Sequence, residues 1–174
     1  MATVHEIEQS LFDWAPRELA MDWDNVGHLV GDPEREVTRV LAALDITERV
    51  VQEAIDLGAQ LIVSHHPVMN VRWHEREMQT LRPDTRLGGL LTMLVKNDIS
   101  AVCMHTNLDA ADGGVNDCLA AALGLNDAFP LNDEKIGRIG TLSCEKGLEE
   151  FLRDVIELLG CGGLRYRSGG GRVY

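Results

Sequence analysis

The stretch from Val37 to Ser64 constrains the fold more than any other. Val37 to Asp45 reads Val-Thr-Arg-Val-Leu-Ala-Ala-Leu-Asp, an apolar run expected to form a buried strand. Thr47 stands where a helix N-cap belongs. Val50, Val51, Ala54, Ile55 and Leu57 follow at helical spacing, and Gly58 ends the segment. Leu61 to Ser64 is apolar again. Strand, helix and strand with joints this short make a βαβ unit, with parallel strands and a right-handed crossover. A second unit follows. Leu87 to Asn97 places Leu87, Leu90, Leu91 and Leu94 on one helical face, and Ile99 to Met104 is the next strand. The predicted fold class is α/β, with a mixed, mostly parallel sheet and flanking helices.

Both of these later strands run out into polar ends. One continues as Ser64-His65-His66-Pro67, the other as His105-Thr106-Asn107-Leu108-Asp109. In parallel sheets, ligands gather outside the carboxyl ends of the strands. Neighbouring strand residues point to opposite faces, so His65 and His66 are expected to flank a crevice and reach two separate ions. Pro67 helps by holding His66 extended. Asp109, four residues past His105, can face the same crevice from a loop turning back over the strand ends. Imidazole nitrogen with carboxylate oxygen suits Zn, Mn, Fe, Co or Ni without choosing among them. An ion pair with open positions would activate water.

The plainer readings are a surface turn at His65-His66-Pro67 and a helix start at Asn107-Leu108-Asp109. Most His and Asp residues are structural or solvated, and either stretch alone would be read so. Two such stretches at equivalent strand ends favour a metal site. Ser64 lacks the glycine-flanked elbow of a nucleophilic serine. His28 reads as a packed strand residue, and His5 and His74 have no metal context. On chemistry alone, Asp24 and Asn25 are turn formers.

The rest of the chain fills in around this frame. Val4, Ile7, Leu11 and Trp14 predict an opening helix, with Thr3 as cap, Glu6 in the first turn and a stop near Pro16. Its polar face is acidic, which argues against a membrane-surface role. Met21 to Asp32 reads as turn, short strand, turn. A loop with a short helix is expected after Pro67. A turn at Ala110 to Gly114 leads into a helix from Val115 to Leu123, closed by Gly124. Beyond Pro130 come an edge strand (Ile136 to Ser143), a helix (Glu149 to Leu159) and a short strand (Leu164 to Arg167). A turn at Ser168 to Gly171 and the start of a strand at Arg172 end the chain. Residues 1–130 are therefore expected to form a first lobe carrying the ligand motifs, and residues 131–174 the beginning of a second, incomplete lobe.

Cys103, Cys118, Cys144 and Cys161 include no C-x-x-C pair and read as reduced, mostly core thiols of a cytoplasmic protein. A formal net charge of −12 disfavours nucleic acid, and a phosphorylated ligand would need a local positive charge such as a bound metal. No apolar run is long enough to span a membrane.

Four motifs together resemble one family. Trp23-Asp24-Asn25-Val26-Gly27, the segment Val40 to Thr47, Ser64-His65-His66-Pro67, and His105 to Asp109 with Gly113-Gly114-Val115-Asn116-Asp117 are similar to the NIF-three-like dinuclear metal-centre proteins, also called type-two GTP cyclohydrolase I. The similarity runs in order along nearly the whole chain. It implies two related α/β lobes around a central crevice, assembled as a toroidal homohexamer. It also implies two divalent metal ions with His65, His66 and Asp109 as ligands, the two histidines serving different ions. His105 falls on a site-lining position, with an acid/base or supporting role. Asp24 and Asn25 would sit near the crevice.

The family completes its site with a later H-x-x-x-E helix, and no such motif occurs before Tyr174. His28 also stands where the family carries an aliphatic residue. Weak metal affinity is expected of the 174-residue chain as written. The implied function is a metal-dependent hydrolase acting on a small molecule, GTP by family, through hydrolytic opening of the guanine imidazole ring. The chain has no P-loop or guanine-reading motif of its own. A non-enzymatic metal-binding scaffold or protein-interaction ring is the alternative.

Overall fold

A computed structural model describes residues 1–69 and 80–167. The loop expected after Pro67 lies mostly outside them, and the turn and strand expected from Ser168 lie wholly outside. The chain divides into two compact units, Met1–Ala111 and Asp112–Tyr174. The boundary thus falls earlier than residue 130. Helix α5 (Val115–Ala122) and strand β7 (Asn126–Pro130) pack with strand β8 (Arg138–Thr141), so they belong with the second unit.

In the first unit, strand β1 (Ala2–Thr3) leads into helix α1 (Val4–Trp14). Thr3 and Glu6 form the expected capping box. The Thr3 hydroxyl accepts from the Glu6 amide at 3.2 Å, and the Glu6 carboxylate accepts from the Thr3 amide at 2.8 Å. Strand β2 (Gly27–Val30) follows, then β3 (Glu36–Val37), β4 (Val40–Ala43), helix α2 (Glu48–Leu57), β5 (Leu61–Ser64), α3 (Arg86–Lys96), β6 (Ser100–Cys103) and a one-turn helix α4 (Thr106–Ala110). The central sheet has the order β2-β6-β5-β4. Strands β4, β5 and β6 are parallel, and β2 runs antiparallel against β6. Both predicted βαβ units are therefore present.

Alternation along β5 sorts the core into two layers. Ile62 packs with Val51, Ala54, Leu90 and Leu94 from α2 and α3. Its neighbour Leu61 packs on the opposite face with Val4, Val102 and Met104. All of these are buried.

The run Val37 to Asp45 is not one buried strand. Strand β3 pairs antiparallel with β1, while β4 joins the central sheet as an edge. Between them, the Gln60 side-chain oxygen takes the amides of Thr38 (2.9 Å) and Arg39 (3.1 Å), which breaks the ladder. Strand β4 alternates, with Val40 (45% exposed) and Ala42 on an open face and Leu41 packed against the helix layer. Apolar composition alone does not separate an edge strand from a central one.

In the second unit, β7 and β8 form an antiparallel ribbon and helix α6 (Leu148–Leu159) follows, capped at Gly160 in the left-handed conformation. The buried Arg138 guanidinium pairs with Asp117. Strand β7 escaped sequence reading because all five of its residues are exposed and show no alternation. No strand forms at Leu164 to Arg167. The cysteines also depart from expectation. Cys103 alone is buried, while Cys118 and Cys144 are exposed and Cys161 is half-buried. Among the described residues, no helix is long and apolar enough to cross a membrane.

Candidate metal centre

Strands β5 and β6 are in register with Ser64 opposite Cys103, so they end at the same level. The residues just beyond are held by main-chain bonds. Met104 donates to the Ser64 carbonyl (2.9 Å), His65 to Ala43 (3.2 Å) and His66 to Leu44 (2.9 Å). Three imidazoles meet there. Ring centroids lie 5.1 Å apart for His65 and His66, 5.0 Å for His65 and His105, and 5.5 Å for His66 and His105. One nitrogen from each falls within 4.8 Å of the others, a grouping that could hold a metal ion. The rings of His65 and His66 therefore converge at the strand end, where a continuing strand would have parted them.

Each ring is anchored through Nδ1 to an oxygen. His65 Nδ1 meets the Met104 carbonyl at 3.0 Å. His66 Nδ1 meets Asp45 Oδ1 at 2.8 Å, and His105 Nδ1 meets Asp24 Oδ1 at 2.9 Å. A carbonyl or carboxylate oxygen only accepts, so Nδ1 carries the proton in all three. In each neutral ring the lone pair then sits on Nε2. Metal-binding histidines are oriented in this way, by an oxygen on the other ring nitrogen. Asp109 adds a carboxylate, with Oδ1 3.6 Å from His65 Nε2.

Asp24 is the most enclosed member of the site, its side chain fully covered. Burial opposes its charge. Hydrogen bonds from the His105 ring, the Thr106 hydroxyl and the amides of Thr106 and Asn25 outweigh that penalty and lower the carboxyl pKa to about 2. Helix α4 supplies most of this frame. The Thr106 amide donates to Asp24 Oδ2 at 3.0 Å, and the Thr106 hydroxyl accepts from the Met21 amide at 3.0 Å. Asn107, fully buried, takes the His105 amide on its oxygen (3.0 Å) and donates to the Ala15 carbonyl (2.7 Å). Leu108 packs in the core. Trp23 stands edge-on to His105, ring centroids 6.1 Å apart, and the Asn25 amide group donates to the Met69 carbonyl at 2.8 Å. Cys103 lies beneath the site. Burial, and then the nearby Asp24 charge, push its thiol far above the ordinary range, so it is not a nucleophile.

The family model for Duf34/NIF3 (NGG1p interacting factor 3) matches residues 2–172. The chain belongs to that family. A Clostridium perfringens protein named "GTP cyclohydrolase 1 type 2 homolog" is 40% identical over 169 residues, which is 94% of this chain and 63% of the relative. A Streptomyces coelicolor protein of the same name is 44% identical over 131 residues, covering 75% of this chain and 44% of that one. Among solved structures, the Staphylococcus aureus hypothetical protein SA1388 superposes with a TM-score of 0.83 at 28% identity, covering 94% of this chain and 66% of that one. The chain thus spans 63% of the Clostridium relative's length and less of the Streptomyces one's.

The Duf34/NIF3 motifs now have physical content. The structure brings His65, His66, His105 and Asp109 together at one rim, with Asp24 and Asn25 beside them. His28 stays out of the site: its ring contacts the Val30 carbonyl at 2.8 Å, as a packed strand residue. Asp45 was missed as a site residue. The available signal was its place, a carboxylate directly beyond a parallel strand at the same sheet edge as His66.

Proposed function

We propose that this site holds divalent metal through His65, His66, His105 and Asp109, and serves a metal-dependent hydrolysis. The observation that carries the reading is the shared Nδ1 anchoring, which leaves an Nε2 lone pair on each neutral ring, in a cluster where one nitrogen from each ring lies within 4.8 Å of the others. Neutral imidazoles and one carboxylate suit transition-metal ions, and space for two neighbouring ions follows the family resemblance. Such ions, when bound, supply Lewis acidity that makes water nucleophilic near neutral pH. The chain's own residues do the positioning. Asp24 accepts from His105 Nδ1, which fixes the ring in the tautomer whose Nε2 lone pair is left for a ligand. Trp23 adds an aromatic wall beside His105, which suits a planar heterocycle.

GTP is the substrate we favour, on the names of the relatives. The test is GTP consumption with Zn, Mn, Fe, Co or Ni supplied, in the wild type and in His66→Ala, with folding checked by circular dichroism. Turnover that His66→Ala abolishes supports the enzyme. Metal binding without turnover across a nucleotide panel favours the scaffold reading instead. A homohexameric ring is part of the same proposal, and a monomer mass by light scattering at micromolar concentration would remove it.

A further inference from the structure

We infer that Asp45 is a positioning residue for His66: it selects the imidazole tautomer that turns the Nε2 lone pair into the histidine cluster. Asp45 sits between the end of β4 and Thr47, the residue that caps α2 by accepting from the Val50 amide. Its Oδ1 lies 2.8 Å from His66 Nδ1. The main chain aligns the pair, since the His66 amide donates to the carbonyl of Leu44, the residue before Asp45, at 2.9 Å. His66 is thus docked onto the tip of the edge strand by two bonds, one from the backbone and one from the ring.

Folding stability does not account for this pairing. The side chains of Asp45 and His66 are 56% and 46% exposed, and exposed pairs of this kind add little. The neighbouring rings sharpen the contrast. His105 is oriented by a buried carboxylate and His65 by a main-chain carbonyl, both inside the frame of the fold. His66 is the most exposed of the three rings, and the carboxylate that sets its tautomer is itself exposed. A neutral imidazole left in water divides between two tautomers, one of which would aim an N–H at the cluster. Asp45 removes that form. Outer partners of metal-binding histidines typically change affinity about 10–100-fold when removed.

The inference rests on the proposed metal reading for its consequence but not for its test. Long-range proton–nitrogen NMR spectra of the metal-free protein, taken where histidines are neutral, report the His66 tautomer directly. The expected result is an Nδ1–H ring in the wild type and in Asp45→Asn, whose amide oxygen still accepts, and a tautomer mixture in Asp45→Ala. Zn titration should then show about a tenfold or greater loss of affinity in Asp45→Ala and a smaller loss in Asp45→Asn. An unchanged His66 tautomer in Asp45→Ala overturns the inference, and so does an equal loss of affinity in the two variants. A wild type that binds no Zn overturns the metal reading instead, while the NMR result still decides the role of Asp45.

Discussion

Asp24 shows how much one side chain carries at this site. Its carboxyl pKa is lowered from 3.8 to about 2 by hydrogen bonds that exceed the cost of burial. A depressed folded-state pKa stabilises the fold above the unfolded value, and the benefit disappears as pH falls through the folded one. The shift corresponds to about 2 kcal/mol at neutral pH, at about 1.4 kcal/mol per pKa unit. We therefore expect Asp24→Asn to be less stable than wild type by about 2 kcal/mol in urea unfolding at pH 7. The gap should shrink as pH drops from about 4 towards 2, where the wild-type carboxylate is protonated. A gap that stays constant through that window would show that charge is not what Asp24 contributes. Asn107 is a neutral counterpart. Its truncation to alanine leaves the His105 amide and the Ala15 carbonyl without their buried partner. Thermal unfolding of Asn107→Ala should show a loss of about 3 kcal/mol, taking 1–3 kcal/mol for each orphaned group. A loss below about 1 kcal/mol would mean that water replaces the side chain at little cost.

Elements at the centre of the first unit were legible in the sequence, because their signals are local. Thr3, Thr47 and Gly58 mark helix ends by specific backbone bonding, and each holds its expected place. The histidines of β5 and β6 were legible because a parallel register carries equivalent strand ends to one level. What was not legible depends on partners distant in the chain. The split between β3 and β4 is imposed by Gln60, and the edge position of β4 by sheet order. Asp24 read as a turn former because its partners, His105 and Thr106, lie more than 80 residues away. Two glycines give a test at this scale. Gly58 has φ +65° and open space where a Cβ would stand, so Gly58→Ala should cost only about 1 kcal/mol of left-handed strain. Gly31, just after β2, has φ +105°, and a Cβ there would come within 2.8 Å of the Ser100 Cα in β6. Backbone does not give way like a side-chain tip. Gly31→Ala should cost at least about 2 kcal/mol more than Gly58→Ala, by strain and forced separation of two paired strands. Equal denaturation midpoints for the two variants would contradict the close packing of β2 on β6.

At the scale of the molecule, every residue of the candidate centre, from Asp24 and Asp45 through His65, His66, His105 and Asp109, falls inside the unit Met1–Ala111. The second unit contributes none of them among the described residues. A metal bound at that rim stabilises the structure that forms it by mass action, about 2.7 kcal/mol at a hundred times the dissociation constant. The stabilisation must appear where the ligands are. Hydrogen exchange with and without Zn should therefore slow at the ends of β5 and β6 and in α4, and stay unchanged in α6. The chain's net charge of −12 adds a long-range attraction for cations, so the apparent affinity should weaken as salt rises while the pattern of protection stays the same. Chelation should reverse the protection, and His65→Ala with His66→Ala should prevent it. Slowed exchange across α6, or none at His65, His66 and His105, would place the metal somewhere other than the rim where these imidazoles meet.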